Sequence, residues 1–555
     1  MSASPIPRRE SLLTLAACAA LSLIAIVWSW HHRALLNYGD AVAHLHIARR
    51  VFDSRIPRFS ELGSVWLPLP HILMIPFVQI YGWWANGIAG IIPSALAWLA
   101  ACVGLYRLAR IWLAPAPAVI ALAFFALNPN LLYLQTTAMT EPLFLSEMIW
   151  LALCMVEFRL SLNPGSQTLD PRPETPLNFE STKKQFLIAL VLVAALFTRY
   201  DGWIMALLAW SGVGLLLLRR GLLRSPAFWL ASALVLAAPI FWLAYNVTVF
   251  HDWLYFVRGP YSAAAIEART SIPGYPPHPG WHSPWVALIF FVKCAQLDSA
   301  PLGCGIFLLL TGLFGASWSW LTARQKAVSW ALLFLWFPLP FYAYSVSWGS
   351  VPIFLPVWWP FSYYNLRYGL ELLPAIALAL GFTAQFALAV VREFKPGLRD
   401  RHLQSFATAV LLVLCLANTI QMLRERPAVY AEGVKNIEAH RPYELAIPPV
   451  LRALLASRPA APLLTVTSFD PEIIALTGIP LRQTINESDL WIYDAALEAP
   501  ASNAAIILAF DGDDIDHAVH LRPEHLTVVQ RFTAPGQPGA TIYVSDSPSF
   551  LAPKN

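Results

Sequence analysis

Long apolar runs recur along most of this chain, and they constrain its fold more than any other feature. Eleven runs are candidate membrane crossings: about 12–30, 88–106, 117–134, 143–158, 185–198, 203–218, 227–245, 302–321, 328–346, 368–391 and 404–422. A helix of about 20 apolar residues spans a bilayer, whose hydrocarbon core is roughly 30 Å thick. Hydrophobic residues make up 57% of the chain and charged residues only 13%. We therefore predict an α-helical polytopic membrane protein with about 11 spans.

The C-terminal part of the chain differs in charge from the rest. From Arg424 onward it holds 16 acidic and 10 basic side chains, against 17 and 27 in the part before it. Three short stretches there have the composition of strands: 463–467, 505–510 and 541–544. Helical stretches near 448–457 and 471–476 alternate with them. We predict a transmembrane domain over 1–423 and a small soluble α/β domain with a partly parallel sheet over 424–555.

Basic clusters fall at alternate connections between the apolar runs. Positively charged loops remain in the cytoplasm, so this pattern predicts a cytoplasmic N-terminus and, with an odd number of spans, an extracytoplasmic C-terminal domain. The predicted outer loops are about 31–87, 135–142, 246–301 and 347–367. The first of these carries five arginines, which we interpret as contacts to lipid headgroups: Arg33, Arg49, Arg50, Arg55 and Arg58. The Pro-rich stretch 161–184 is interpreted as a flexible inner connector.

The region 185–218 contains about 34 nearly continuous apolar residues, too many for a single crossing. Its one polar interruption is Thr198-Arg199-Tyr200-Asp201-Gly202. We predict two short helices that meet at this polar tip. Because a charge at bilayer depth costs roughly 2.5–3.5 kcal/mol, Arg199 and Asp201 should face a cavity or each other. The alternative is a self-neutralising pair that only caps the hairpin.

Unusual polar residues collect on the predicted outer face, in the outer loops and at the polar tip. The residues that stand out are Asp40, His44, His46, His71, Glu141, Arg199, Tyr200, Asp201, Arg367 and Tyr368. Carboxylates can deprotonate a hydroxyl, and the planar guanidinium fork suits phosphate oxygens. This inventory favours transfer of a group from a lipid phosphate to an alcohol, with Asp40 as the base.

Each of these residues also has a plainer interpretation. Glu141 is suited to the N-terminus of a helix, where the dipole favours an acid. His44 and His46 lie two positions apart, on different faces of a helix, which argues against a shared metal ion and for interfacial packing. Arg367 suits an anchor at headgroup level.

Other patterns exclude several chemistries. The chain has no Walker loop and no Gly-x-Gly-x-x-Gly fingerprint, so nothing indicates nucleotide hydrolysis. The six cysteines lie in or beside apolar runs, without metal-ligand spacing or the pattern of a disulfide framework. The acidic stretch 511–516 fits no calcium loop closely and is interpreted as a solvated turn.

The order of these motifs resembles the GT-C superfamily of lipid-sugar-dependent glycosyltransferases, and most of all the bacterial relatives of protein O-mannosyltransferases and aminoarabinose transferases. The residues that carry the resemblance are Tyr38-Gly39-Asp40, Pro68-Leu69-Pro70-His71, Tyr81-Gly82, Leu127-Asn128-Pro129-Asn130, Thr140-Glu141-Pro142, Thr198-Arg199-Tyr200-Asp201-Gly202, Arg367-Tyr368 and Leu373-Pro374. They span roughly 10–390. Many members carry a second acid beside the first-loop acid, whereas this chain has Ala41 there.

The resemblance implies a multi-pass protein of the bacterial inner membrane. It implies an inverting hexosyl- or pentosyltransferase that uses a polyprenyl-phosphate sugar donor. Asp40 would be the base, Glu141 the second carboxylate, and Arg199, Arg367 and Tyr368 the donor-phosphate site. Asp201, Tyr200, His44 and His71 would support them.

The expected partners are the donor, membrane lipids and an acceptor lipid, glycan or protein, and no nucleic acid. No cofactor is certain, and a divalent metal is possible. Two other classes of function remain open: a transporter or flippase of a lipid-linked sugar, and a non-catalytic membrane scaffold. A transporter would use the same arginines and the same helix pair but need not place its acids only on the outer face, and a scaffold would scatter its charges. The acids cluster on the predicted outer face and the inner face has no matching site, which favours the enzyme.

Overall fold

The structure is a computed structural model that describes residues 7–162, 179–270, 274, 276–300, 303–321, 333–394, 400–470 and 472–547. Most of the predicted connector 161–184 therefore lies outside the described residues. Up to Arg424 the regular elements are helices: α1 (Arg8–His31), α2 (Gly39–Arg50), α3 (Leu69–Val78), α4 (Tyr81–Ala85), α5 (Ile88–Arg110), α6 (Pro115–Ala126), α7 (Pro129–Leu134), α8 (Glu141–Ser161), α9 (Phe179–Thr198), α10 (Asp201–Leu218), α11 (Pro226–Phe250), α12 (Tyr255–Arg258), α13 (Ala263–Thr270), α14 (Pro284–Ser299), α15 (Cys304–Leu321), α16 (Pro338–Trp348), α17 (Leu373–Phe394) and α18 (Asp400–Arg424).

The C-terminal part alternates helices with short strands: α19 (Ala428–Ser457), β1 (Leu463–Thr465), α20 (Glu472–Thr477), β2 (Thr484–Ile485), α21 (Trp491–Glu498), α22 (Pro500–Asn503), β3 (Ile506–Phe510), α23 (Asp514–Leu521), β4 (Leu526–Phe532) and β5 (Ala540–Ser545). Short 3₁₀ helices lie at Phe59–Leu62, Leu366–Leu372, Leu481–Gln483 and Glu487–Asp489. The predicted class, an α-helical membrane protein with a small C-terminal α/β part, is confirmed.

Seven helices in the described part of the chain are long and apolar enough to cross a membrane. Others in the predicted spans are shorter, such as α6 with 12 residues, so the count of about 11 stays a prediction. Helix α14 was not expected. Lys293 and Asp298 interrupt its apolar run, so this stretch was assigned to a predicted outer loop. Its first residue is Pro284. Proline has no backbone N–H, and it suits a first helical turn because an N–H at that position would have no acceptor within the helix.

The predicted pair of helices at 185–218 is present. Helices α9 and α10 are separated only by Arg199 and Tyr200. A Cβ at Gly202 would clash with the carbonyl oxygen of Ala195, so the residue after Asp201 must be small for the two helices to meet this closely. This turn fixes the position of the polar tip against its neighbours.

The C-terminal sheet has the strand order β2-β1-β3-β5-β4. Strands β1, β2 and β3 are parallel, while β5 is antiparallel to β3 and β4, so the predicted partly parallel sheet is confirmed. The short β2 and the largely exposed β4 were not predicted, since neither carries a clear apolar run. Leu463, Ile506 and Ile542 belong to a buried apolar cluster that is continuous with the membrane helices.

The first loop binds the C-terminal part directly. The Arg50 guanidinium donates to Ser488, and Arg55 Nε donates to the Thr484 carbonyl at 3.0 Å. Arg49 is buried and donates to Asp53 at 2.7 Å. The interpretation of the loop arginines as headgroup contacts is therefore wrong for these three residues. Apolar periodicity alone cannot show that the partners of Arg50 and Arg55 lie more than 400 residues away in the chain.

Candidate active site

Arg367 lies at the centre of a buried network of charged side chains. Its backbone belongs to the 3₁₀ segment Leu366–Leu372, which leads into α17. Each guanidinium nitrogen donates to a different carboxylate: Nη2 to Asp40 at 2.6 Å, Nε to Glu141 at 3.0 Å and Nη1 to Glu432 at 3.1 Å. The rigid guanidinium fork thereby holds three separate parts of the chain in one place.

Glu141 connects Arg367 to the second guanidinium. It is the first residue of α8, as its position before an apolar run predicted. Its Oε1 accepts from Arg367 and also from Arg199 Nη1, at 3.1 Å. The side chain is only 1% exposed, so these two guanidiniums supply the charge that a buried carboxylate requires.

Arg199 lies at the tip between α9 and α10. Its Nε donates to Asp201 at 2.9 Å, so the two charges of the tip face each other as expected. Its Nη2 donates to the Tyr342 hydroxyl at 3.2 Å and lies 3.4 Å from Glu371 Oε1. Arg199 and Asp201 therefore neutralise each other, and Arg199 also bonds to other members of the network. The tip is thus a self-neutralising pair, but it does more than cap the hairpin.

Tyr368 lies between the two guanidiniums. The central carbons of Arg199 and Arg367 are each 5.1 Å from the centre of its ring. Tyr38 approaches Arg367 from another side, at 5.5 Å. Contacts of this kind attract cations to aromatic faces, and here they fix the planes of both guanidiniums.

Glu432 is a site residue that the sequence analysis missed. It comes from α19, and its two carboxylate oxygens accept the backbone N–H groups of Asn365 and Leu366 at 2.8 and 2.9 Å. The same carboxylate accepts from Arg367. Its sequence context is an ordinary charged helix, so no local signal marked it.

Glu371 and Tyr342 were also missed. Glu371 follows Arg367 by four residues, a spacing typical of paired charges on a helix and therefore a usable signal. The Tyr342 hydroxyl donates to Glu371 at 2.7 Å. Nothing in the sequence around Tyr342 distinguishes it from other membrane tyrosines.

Asp40 differs from the other acids of the network in its exposure. Its side chain is 42% exposed, whereas those of Glu141 and Glu432 are 1% and 2% exposed. It opens onto a cleft of about 150 Å³. The lining includes Asn37, Asp40, Tyr364, Arg367, Glu432, Asn436, His440, Glu444, Phe469, Asp470 and Glu472. Asp40 is thus the carboxylate of this network that a molecule in the cleft reaches first.

Of the four predicted supporting residues, Asp201 joins the arginine network through Arg199, whereas the hydrogen bonds of His44, His71 and Tyr200 described here lie outside it. His44 Nδ1 and His71 Nε2 are 2.8 Å apart and share one hydrogen bond. Burial is the largest effect on His44 and lowers its pKa to about 4, so the pair is neutral at pH 7. Tyr200 donates to the Ser64 carbonyl at 3.1 Å and so ties the tip to the first loop.

His46 does not join His44. Its Nδ1 lies 3.0 Å from the Val42 carbonyl, and its ring packs 5.0 Å from that of Trp84. Among the described residues, no group of three His, Cys, Asp or Glu side chains is arranged to hold a metal ion.

The network contains more acids than bases. The two guanidiniums face five carboxyls: Asp40, Glu141, Asp201, Glu371 and Glu432. Like charges at this spacing oppose one another's ionisation. Every guanidinium nitrogen already donates to a neighbour, so a bound phosphate either competes with these contacts or accepts from the second N–H of a terminal nitrogen. The half-exposed Asp40 is the easiest partner to replace.

No protein-family model and no curated protein matches this chain. Among solved structures, the chain is similar to ArnT from Cupriavidus metallidurans bound to undecaprenyl phosphate, with 15% identity, a TM-score of 0.49 and coverage of 98% of this chain and 99% of that one. The apo state of the same protein aligns with 15% identity and a TM-score of 0.49, over 95% of this chain and 98% of that one. An Archaeoglobus fulgidus oligosaccharyltransferase in complex with Zn and sulfate aligns with 13% identity and a TM-score of 0.46, over 95% of this chain and 72% of that one.

Likenesses at this level of identity and TM-score carry no argument about what this chain binds or does. The function proposed below therefore rests on the geometry of the site.

Proposed function

We propose that this protein is an inverting glycosyltransferase that moves a sugar from a polyprenyl-phosphate donor to an acceptor hydroxyl at the outer face of the membrane. The observation that carries the proposal is the ion pair of Arg367 and Asp40, in which a buried guanidinium holds a half-exposed carboxylate at a cleft. Such a carboxylate can take a proton from a hydroxyl, and the guanidinium can stabilise a phosphate leaving group.

In the proposed reaction the acceptor oxygen bonds to the anomeric carbon of the sugar while the bond from that carbon to the phosphate oxygen breaks. The electron pair of the broken bond leaves with polyprenyl phosphate, and the hydroxyl proton passes to Asp40. A single direct displacement of this kind inverts the anomeric configuration. Arg367 Nη2 exchanges Asp40 for a phosphate oxygen as the donor binds, which frees Asp40 to act as the base.

The donor phosphate lies on the Arg199 and Tyr368 side of Arg367 in this proposal. Glu141 is the second carboxylate of the site, and its bonds to both guanidiniums keep them in place while Asp40 is released. Asp201 holds Arg199 in the same way. The lipid chain extends from this side between the membrane helices, and the acceptor enters through the cleft.

The convergence of the charges argues against a scaffold. Two guanidiniums and five carboxyls from distant parts of the chain meet in one network. Burying so many charges costs stability, so we expect the arrangement to be kept because the groups have a function. A transporter of a lipid-linked sugar remains compatible with the same arginines. The two functions differ in whether the donor is consumed.

The test uses purified full-length protein in liposomes with an envelope extract as the source of acceptor. Labelled polyprenyl-phosphate hexoses and pentoses are supplied, and release of polyprenyl phosphate is measured. We expect one donor to be consumed, with a rate at least ~100-fold lower in Asp40→Asn because a general base contributes roughly 10²–10⁴-fold. The matched control is Asp511→Asn, a surface acid paired with Arg531.

Two results would overturn the proposal. Full activity of Asp40→Asn at equal expression removes Asp40 as the base. Movement of a donor across the bilayer without consumption of any donor tested identifies a transporter instead.

A further inference from the structure

A second group of acids lies in the cleft beyond Asp40, outside the arginine network. It consists of Glu444, Asp470 and Glu472, with His440 beside them. Glu444 and Glu472 share a side-chain hydrogen bond. Glu444 and His440 belong to α19, and Asp470 and Glu472 lie at the start of α20, so two elements of the C-terminal part bring these groups together.

Asp470 has an unused hydrogen-bonding atom at the centre of this group. The backbone N–H groups of Glu472 and Ile473 bond to its carboxylate, as expected for an acid before a helix. Its side chain is only 2% exposed, yet among the described residues Oδ2 has no hydrogen-bond partner. His440 Nδ1, 3.8 Å away, is also buried without a hydrogen bond. A buried carboxylate oxygen left unpaired is costly, so its natural complement is a donor from outside the chain.

The chemistry of the cleft selects among possible ligands. Three carboxyls repel an anion, and a calcium or magnesium ion needs about six oxygen ligands in a close shell. The described residues include no cluster arranged to hold a metal ion. A primary ammonium carries three donors and no acceptor, so it satisfies several carboxylate oxygens at once without a fixed coordination geometry.

The position of the acids indicates which substrate carries the ammonium. The cleft is lined by Asp40 and Arg367, but Arg199 and Tyr368, on the proposed donor side, do not line it. We propose that Asp470, Glu472 and Glu444 form a subsite for a primary ammonium group on the acceptor, whose hydroxyl reaches Asp40. This inference rests on the proposed function, because it names the chemistry of the acceptor at the same site.

The test measures binding without any donor, so its result does not depend on whether the protein transfers sugar. Full-length protein in nanodiscs is titrated with ethanolamine, and binding is followed by saturation-transfer NMR. N-acetylethanolamine, which keeps the hydroxyl and lacks the charge, is the ligand control. We expect saturable binding of ethanolamine, no saturable binding of N-acetylethanolamine, and an affinity at least tenfold lower in Asp470→Asn.

The variant control is Asp511→Asn, which should bind ethanolamine like the wild type. If Asp470→Asn fails to fold, Glu472→Gln takes its place with the same expected loss. Equal binding by the acid variant and the wild type, or equal binding of the neutral analogue, overturns the proposal. Displacement of ethanolamine by 1 mM Mg²⁺ or Mn²⁺ but not by 1 mM Na⁺ assigns a metal site instead.

A final arm separates the acceptor from the donor as the source of the ammonium. A polyprenyl-phosphate-linked aminosugar is added to the ethanolamine complex and compared with the same lipid carrying a neutral sugar. Displacement by the aminosugar alone places the ammonium on the donor and overturns the assignment to the acceptor. Equal behaviour of the two lipids supports the acceptor.

Discussion

The two ion pairs of Arg367 with Asp40 and with Glu432 should differ in strength in the direction opposite to their distances. The Asp40 contact is shorter, at 2.6 Å against 3.1 Å. However, the Asp40 side chain is 42% exposed and the Glu432 side chain is 2% exposed. Water screens the Asp40 pair more than the Glu432 pair, so we expect exposure rather than distance to decide which pair is stronger.

The expected energies follow from these environments. An exposed pair contributes about 0.2–1 kcal/mol, so we expect a coupling in that range between Arg367 and Asp40. A buried hydrogen bond to a charged group contributes about 1.5–3 kcal/mol, and we expect that range for Arg367 and Glu432. The difference matters because, in the proposed reaction, Asp40 leaves Arg367 when the donor binds and Glu432 stays.

The measurement is a pair of double-mutant cycles built from Arg367→Gln, Asp40→Asn and Glu432→Gln. Unfolding is induced by SDS in mixed micelles and followed by tryptophan fluorescence. The exposed pair of Arg107 and Glu157, at 3.3 Å, serves as the reference for a weak coupling. A coupling of Asp40 as large as that of Glu432 would refute the reasoning, because a tightly held Asp40 is not free to act as a base.

Three further outcomes are expected. Burial raises the pKa of Asp470 to about 8, and it also raises the pKa of the neighbouring Glu444 to about 8 and of Glu472 to about 7. Ethanolamine binding should therefore strengthen as pH rises from 6 to 9, and this dependence should weaken in Asp470→Asn; a flat wild-type titration contradicts it. The pKa of His44 is lowered to about 4 in the folded protein, so the unfolded chain binds more protons below pH 6.5. The free energy of unfolding should therefore fall as pH drops from 6.5 to 4, and it should fall less steeply in His44→Phe. Thermal unfolding measures both. Arg55→Ala should destabilise the contact to Thr484 by about 1 kcal/mol and increase proteolysis of the C-terminal part, with Arg33→Ala as the unaffected surface control.

Local patterns predicted much of the site. Apolar runs located the helices, and the polar interruptions of those runs identified Asp40, Glu141, Arg199 and Arg367, all of which the structure brings into one network. An ionisable residue among membrane helices is expensive, so its presence in the sequence is itself informative.

The contribution of the C-terminal part could not be predicted in this way. Glu432 and Asp470 lie in an acidic segment where carboxylates are common, and nothing local separates a site residue from a surface one. Their roles depend on how α19 docks onto Arg367 and how α20 docks onto the first loop, where Tyr81 donates to the Ala475 carbonyl. That docking is a tertiary arrangement between segments hundreds of residues apart, without a periodic signature.

The contacts of Glu432 also affect where this chain can be divided. Its carboxylate accepts from the backbone N–H groups of Asn365 and Leu366 as well as from the guanidinium of Arg367. The neighbouring Gly433 lies so close to Tyr133 that a Cβ added to it would be 2.9 Å from the Tyr133 hydroxyl. A chimera joined at residue 424 would exchange this helix and leave Arg367 short of a partner. A junction after Ser457 keeps the whole of α19 with the membrane helices, and only the sheet and the short helices around it are exchanged.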